Sequence, residues 1–337
     1  MEKKILAIIG ILIIIGVAII SGAWYLQEVP QTFTGPPESI TIATIPSEYS
    51  TLLWVAEDQG FFKQNGLNVT LKDYPTGATS LNALSTHDAD FSVSSEYAFV
   101  TQVLNGENIR LITNIDKADN EYLIARKDKG ISNISDLKGK KIGVLRKGAA
   151  EFYLGRYLNL HGINLDEVTI VNEQFTQSVI SINNGSIDAT LLPEPQAYTI
   201  QNNLGNNGVS WPAQSGQLLF MAISTTTDTI NKNPELIKRL LRSLHQADEF
   251  VLAHPEEAKA IVQKKMNYKP AYLEKIWPEH RFTLTLDQSL LVAMDDETRW
   301  MIKNNLTSAS MVPNYLTNIY TSGMSTVKPE SMNIIIR

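Results

Sequence analysis

The run LKGKKIGVLRKGAAEFYLGRYLNLHG, Leu137 to Gly162, decides the fold, because a strand, a tight loop and a helix follow one another in it without a break. Ile142 to Leu145 reads as a short apolar strand and Arg146 to Ala150 as the loop. Beyond it Ala150, Tyr153, Leu154, Tyr157, Leu158 and His161 recur at helical spacing, and Gly162 supplies the residue that leaves a helix through positive φ. A helix beginning beside Gly148 turns unpaired backbone N–H groups, and the positive end of its dipole, toward whatever lies above the strand. The loop is therefore a candidate ligand-binding corner, against the plainer reading of a βα turn with basic surface residues.

The same order of elements occurs once before, about one hundred residues earlier. Ile42 corresponds to Ile142, Gly66-Leu67 to Gly162-Ile163, and the strand around Val69 to that from Val168 to Val171. Each copy then runs through a helix into an Asp-led strand: Asp90 before Phe91-Ser92-Val93, and Asp188 before Ala189-Thr190-Leu191. Glu96 lies six residues past Asp90, and Glu194 six past Asp188. Strands separated by helices imply parallel sheets with right-handed crossovers, which bind ligands at the carboxyl ends of their strands.

The expected fold is thus α/β and two-lobed, with each lobe a mainly parallel sheet flanked by helices. Residues 39–121 and 224–337 would form the first lobe and 122–223 the second, with Tyr122 to Arg126 leaving the first lobe and Leu218 to Ser224 returning to it. After the return, Asn233 with Pro234 starts a helix whose apolar face is Leu236, Ile237, Leu240, Leu241, Leu244 and Ala247. Pro255 and Pro270 start two more and Asp287 caps a fourth, all expected to pack on the first lobe. Trp277 and Trp300 fall on their apolar faces.

Composition narrows the function. The chain has 337 residues, 43% of them hydrophobic, and a net charge of -6 from 29 basic and 35 acidic residues without long runs of either sign. A nucleic-acid surface is not expected. With no cysteine, disulfides, thiolate metal sites and cysteine nucleophiles are excluded, and the five histidines show no metal-ligand pairing. Nothing calls for a cofactor. Lys3 and Lys4 precede an uncharged run from Ile5 to Gln27, long enough to span a bilayer and flanked by the charge that stays inside. Residues 1–27 therefore read as a signal peptide, cut near Ala23, or as an anchor helix, with 28–38 a Pro-containing linker. Either way the body would lie at the extracytoplasmic face of the cell membrane.

Several phrases carry a resemblance: Glu57-Asp58-Gln59-Gly60-Phe61-Phe62 with Asn65-Gly66-Leu67, the Thr76-Gly77-Ala78 loop, Ile134 to Ile142, and Asn184-Gly185-Ser186-Ile187-Asp188-Ala189 with Glu194-Pro195. The chain resembles the solute-binding proteins of ABC importers that include the nitrate, alkanesulfonate, taurine and thiamine-precursor binders. That resemblance implies a type II periplasmic-binding-protein-like fold and a receptor that closes on a small molecule and hands it to a membrane permease with its ATPase, without chemistry on the ligand. The ligand would be a sulfonate, a nitrate-like anion or a pyrimidine-type compound.

Expected contacts are the facing loops: Tyr49 and Thr51, then Gly77, Ala78 and Thr79, then Ser95 and Glu96 in one lobe. In the other they are Arg146, Gly148, Ala149, Ala150 and Glu194. Arg146 and Lys147 favour an anion, whereas Glu96 and Glu194, if both face the cleft, favour N–H donors or a cation. Tyr49, Tyr97 and Trp211 are candidate stacking groups. Ala149 and Ala150 stand where sulfonate binders tend to carry Ser or Thr, so hydroxyl donors for an oxyanion are absent there. An enzyme on the same fold, making a pyrimidine or menaquinone precursor, and a tethered ligand sensor are the alternatives.

Overall fold

The computed structural model describes residues 33–335, so the apolar N-terminal run and residues 28–32 of the expected linker lie outside the described residues. Among the described residues no helix is long and apolar enough to cross a membrane.

The repeat is visible as two five-stranded sheets of matching topology. In the first, β1 (Glu38–Thr44) lies between and parallel to β2 (Leu67–Asp73) and β3 (Phe91–Ser95), and the order is completed by β10 (Leu219–Thr226) and β4 (Ile109–Ala118) as β2-β1-β3-β10-β4. In the second, β6 (Lys141–Val144) lies between and parallel to β7 (Thr169–Asn172) and β8 (Ala189–Pro193). With β5 (Glu121–Arg126) and β9 (Gly208–Pro212) the order is β7-β6-β8-β5-β9. In each sheet the fourth strand runs antiparallel to its neighbours.

Register makes the correspondence specific. Ile42 pairs with Phe91, and Ile142 with Ala189. The aspartate before each third strand accepts the backbone N–H of the first strand: Thr41 donates to Asp90 at 2.8 Å and Lys141 to Asp188 at 2.9 Å. One carboxylate in each copy therefore closes the end of the parallel ladder, where a backbone donor would otherwise be unpaired.

The sheet boundaries refine the expected ones. Glu121, placed in the first lobe by the sequence, pairs with Pro193 in the second sheet, and Leu219 to Ile223, placed in the second lobe, belong to β10 of the first. The chain crosses at Asp119-Asn120 and again between Ala213 and Leu218. A single side chain ties the two crossings together: Gln214 accepts from the backbone N–H groups of Asn120 (2.6 Å) and Glu121 (3.0 Å) and donates to the Ala118 carbonyl (2.9 Å).

Helices α1 (Thr51–Asp58), α2 (Phe61–Gln64), α3 (Gly77–Ser85) and α4 (Glu96–Leu104) belong to the first lobe, and α5 (Ala149–Leu160), α6 (Phe175–Asn184) and α7 (Gln196–Leu204) to the second. After β10 come α8 (Thr227–Lys232), α9 (Pro234–Ala253), α10 (Pro255–Met266), α11 (Pro270–Ile276), α12 (Gln288–Lys303) and α13 (Ser322–Val327). Asn233 caps α9, accepting the Leu236 N–H at 3.1 Å, and the expected apolar face is buried against α1, α2 and α13. Burial of each such Leu or Ile contributes about 1.5–3 kcal/mol. Asp287 does not cap α12: its carboxylate pairs with Lys117 on β4 instead.

The C-terminal helices were expected to pack on the first lobe, and they grip the second as well. On one flank Lys275 of α11 pairs with Glu194 at 2.8 Å, and Tyr122 donates to Glu279 at 2.5 Å. On the other flank Trp300 of α12 meets Phe152 of α5 edge-on at 5.6 Å and lies over Gly155. Trp277 sits in a short 3-10 turn after α11, half-buried against Phe282.

Candidate functional site

A cavity of about 370 Å³ lies between the carboxyl ends of the two sheets. The duplicated topology requires its walls to be duplicated too. From the first lobe come Ile45 and Tyr49 beyond β1, Pro75 to Ala78 beyond β2, and Ser95 and Tyr97 at the β3–α4 junction. From the second come Leu145 to Ala150 beyond β6, Gln174 and Phe175 beyond β7, and Pro193 at the end of β8. Glu121, Leu219 and Met221 reach it from the crossing strands.

Four helices start at this cavity, and their ends differ in what they leave free. Thr76 caps α3 by accepting the Thr79 N–H at 3.2 Å, while the Thr79 hydroxyl accepts the Thr76 N–H at 3.1 Å. Ser95 caps α4, accepting from Ala98 at 3.3 Å. In contrast, α5 starts at Gly148 and α6 at Gln174, and no side chain caps either. First-turn amides of the second lobe are therefore the ones left for a ligand, and the dipole there favours negative charge.

The loop before α5 is held by one buried acid. Glu151 accepts from Arg146 Nε at 2.9 Å and from the Lys147 backbone N–H at 2.7 Å. Lys147 has φ 59, a left-handed backbone that a β-carbon disfavours, and its neighbour Gly148 starts the helix. Strain of this kind is tolerated where surrounding bonds over-determine the loop. Arg146 is charge-compensated by Glu151, whereas no ion pair holds Lys147 among the described residues. Lys147 is thus a cavity-lining cation without a compensating ion pair among the described residues.

Eight of the twelve residues expected from sequence line the cavity: Tyr49, Gly77, Ala78, Ser95, Arg146, Gly148, Ala149 and Ala150. Tyr97 lines it too, and Trp211 does not, being set in edge strand β9. The other four serve the frame. Thr51 donates to the Glu48 carbonyl at 2.5 Å, and Thr79 belongs to the capping pair. Glu96 is buried and accepts the Phe220 N–H at 3.0 Å, tying α4 to the return strand. Glu194 accepts the Tyr198 N–H at 2.8 Å and pairs with Lys275, so it binds its own helix and a flanking helix.

Glu121 was missed. It is 4% exposed, its Oε2 has no hydrogen-bond partner, and burial pushes its carboxyl up to about 8. Glu96 and Glu297 are raised as well, mainly by burial, with Glu121 adding repulsion to Glu96 and Glu96 to Glu297. Among the described residues no group of acidic and histidine side chains is arranged to hold a metal ion.

Two open α/β lobes that face each other across the carboxyl ends of their strands define the two-lobed binding-protein fold. The model of the family described as NMT1/THI5 like matches residues 47–258, most of the body. The chain belongs to that family.

Among curated relatives, a Brucella abortus (strain 2308) protein named "Putative binding protein" is 26% identical over 226 residues, 65% of this chain and 69% of its own. The 4-amino-5-hydroxymethyl-2-methylpyrimidine phosphate synthase THI13 of Saccharomyces cerevisiae is 21% identical over 316 residues, 86% of this chain and 88% of its own. Among solved structures, the periplasmic aliphatic sulphonate binding protein SsuA of Escherichia coli superposes with a TM-score of 0.74 at 15% identity, covering 84% of this chain and 98% of that one. A desulfurization enzyme, DSZB, has the same fold at a TM-score of 0.62 and 14% identity, covering 87% of this chain and 99% of that one.

Proposed function

We propose that this chain is an extracytoplasmic solute-binding protein that closes on a small organic anion and presents it to an ABC importer permease. The supporting observation is the cavity itself, built from equivalent loops of both lobes, with two uncapped helix starts and Lys147 on the second-lobe side. A ligand seated on those amides gains contacts from the first lobe only when the lobes approach, so it favours the closed form by that difference. The permease would read the closed shape. The apolar N-terminal run would carry the body to the outer face of the membrane, as anchor or as cleaved signal.

An enzyme on this fold is the competing reading, favoured by the likeness to the yeast synthase. The chain contains no cysteine, so a thiolate nucleophile is not available to it. The deciding experiment is mass spectrometry of small molecules released from gently denatured protein, followed by isothermal titration of each into fresh protein. The expected result is an intact anion whose affinity falls about tenfold in Lys147→Ala, the equivalent of about 1.4 kcal/mol. Recovery of a chemically changed compound after incubation would sink the transport reading.

A further inference from the structure

Glu121 opens β5 at the point where the chain crosses between sheets, and it is one of the residues that line the cavity. Its backbone is fixed on both sides: the N–H donates to Gln214 Oε1 at 3.0 Å, and the carbonyl accepts from Ala213 at 2.8 Å. The side chain is held at the wall with Oε2 unpaired and no ion pair reaching it among the described residues. The titratable groups that sense its charge are Tyr49, Glu96 and Tyr153, none of them cationic. Its wall neighbours Leu219 and Met221 offer it no hydrogen bond. With the carboxyl raised to about 8, it is mostly the uncharged acid at pH 7.

An uncharged carboxylic acid presents one O–H donor and one carbonyl acceptor side by side. Oε2, buried and unpaired, is costly until something answers it. The complementary shape is a group with an acceptor and an N–H donor on adjacent atoms. We propose that Glu121 is the specificity-determining residue of the cavity, and that it selects, among small organic anions, those carrying a carboxamide-type edge. The uncharged acid also explains how a carboxyl can share a cavity with an anion. This assignment rests on the anion-binding reading of the cavity.

The test uses two probes of equal charge and similar size, 4-carbamoylbenzenesulfonate and 4-methylbenzenesulfonate, titrated calorimetrically into the full chain at pH 7. The wild type is expected to bind the carbamoyl probe about tenfold or more tightly, because the methyl probe leaves the acid unanswered. Glu121→Gln keeps a donor and an acceptor and should keep the preference. Glu121→Leu should bind both probes equally, and as it removes an unpaired buried carboxyl it should fold at least as stably. A preference that survives in Glu121→Leu, or equal binding of both probes by the wild type, overturns the assignment while leaving the anion-binding reading intact. Failure of both probes to bind overturns that reading and this assignment together.

Discussion

Gly155 shows how a single missing side chain joins the lobes. A β-carbon there would stand 2.9 Å from Trp300 Nε1 and 3.2 Å from Leu165 Cδ1, closer than ordinary contact allows. Gly155→Ala would gain up to about 1 kcal/mol of helix propensity and lose about 1–3 kcal/mol by overpacking. The second effect wins, because α5 is pinned by Phe152 against both Trp300 and Tyr97 and cannot easily withdraw. A net loss of about 1 kcal/mol is expected, read as a lower urea midpoint; a higher midpoint would show that Trp300 does not rest on this glycine. Glu121 makes the opposite point. Its sequence neighbourhood, EYLIAR, announces a strand, but nothing in a one-dimensional pattern distinguishes an acid at a crossing from an acid in a surface turn.

At the scale of elements, α11 and α7 are held across the lobe boundary by Lys275 and Glu194. Glu194's side chain is fully buried while Lys275 keeps 35% of its exposure. The Lys275 ammonium also lies over the rings of Tyr198 and Tyr122, at 5.0 and 5.7 Å. Lys275→Met leaves a buried carboxylate with only the Tyr198 N–H as partner, and a loss on the order of 2–3 kcal/mol is expected. Adding Glu194→Gln should restore part of it, since the remaining group is then uncharged. Small-angle scattering of the single variant should show a larger radius of gyration if the contact restrains lobe opening; an unchanged radius would assign the pair to local stability alone. Sequence pattern placed α11 correctly through Pro270, yet assigned it to one lobe, because a local signal reports where a helix starts and not what it packs against.

For the whole molecule, the buried acids set a direction for stability against pH. Glu96, Glu121 and Glu297 all have carboxyls raised in the fold, chiefly by burial. A raised acid holds its proton more tightly folded than unfolded, so its contribution is complete below the unfolded value near 4.5. For Glu121 it is lost as the pH climbs through about 8. His280 acts in the same sense: burial lowers its value, but Asp116 and Glu48 more than offset this, so its charged form is also lost as pH rises. Stability is therefore expected to fall between about pH 5 and pH 8, by on the order of a few kcal/mol. Guanidinium denaturation across that range should show a shallower slope in Glu297→Gln than in the wild type. A wild-type slope of the opposite sign would mean that these acids are charged and paired.

The sequence by itself determined the duplicated α/β plan, the two crossings, the Asn233-capped and Pro-started C-terminal helices, and most of the loops that meet at the cavity. These depend on local periodicity, on glycine and proline, and on a repeat that preserves its order, all of which are written along the chain. Only the tertiary structure decided which acids serve the frame and which faces the cavity. Glu96 and Glu194 occupy equivalent places in the repeat and both turn to backbone donors, while Glu121 is left unanswered at the wall. Burial and partner choice depend on residues far apart in sequence: the Phe220 amide, the Lys275 ammonium, and the crossings held by Gln214. No spacing rule contains them.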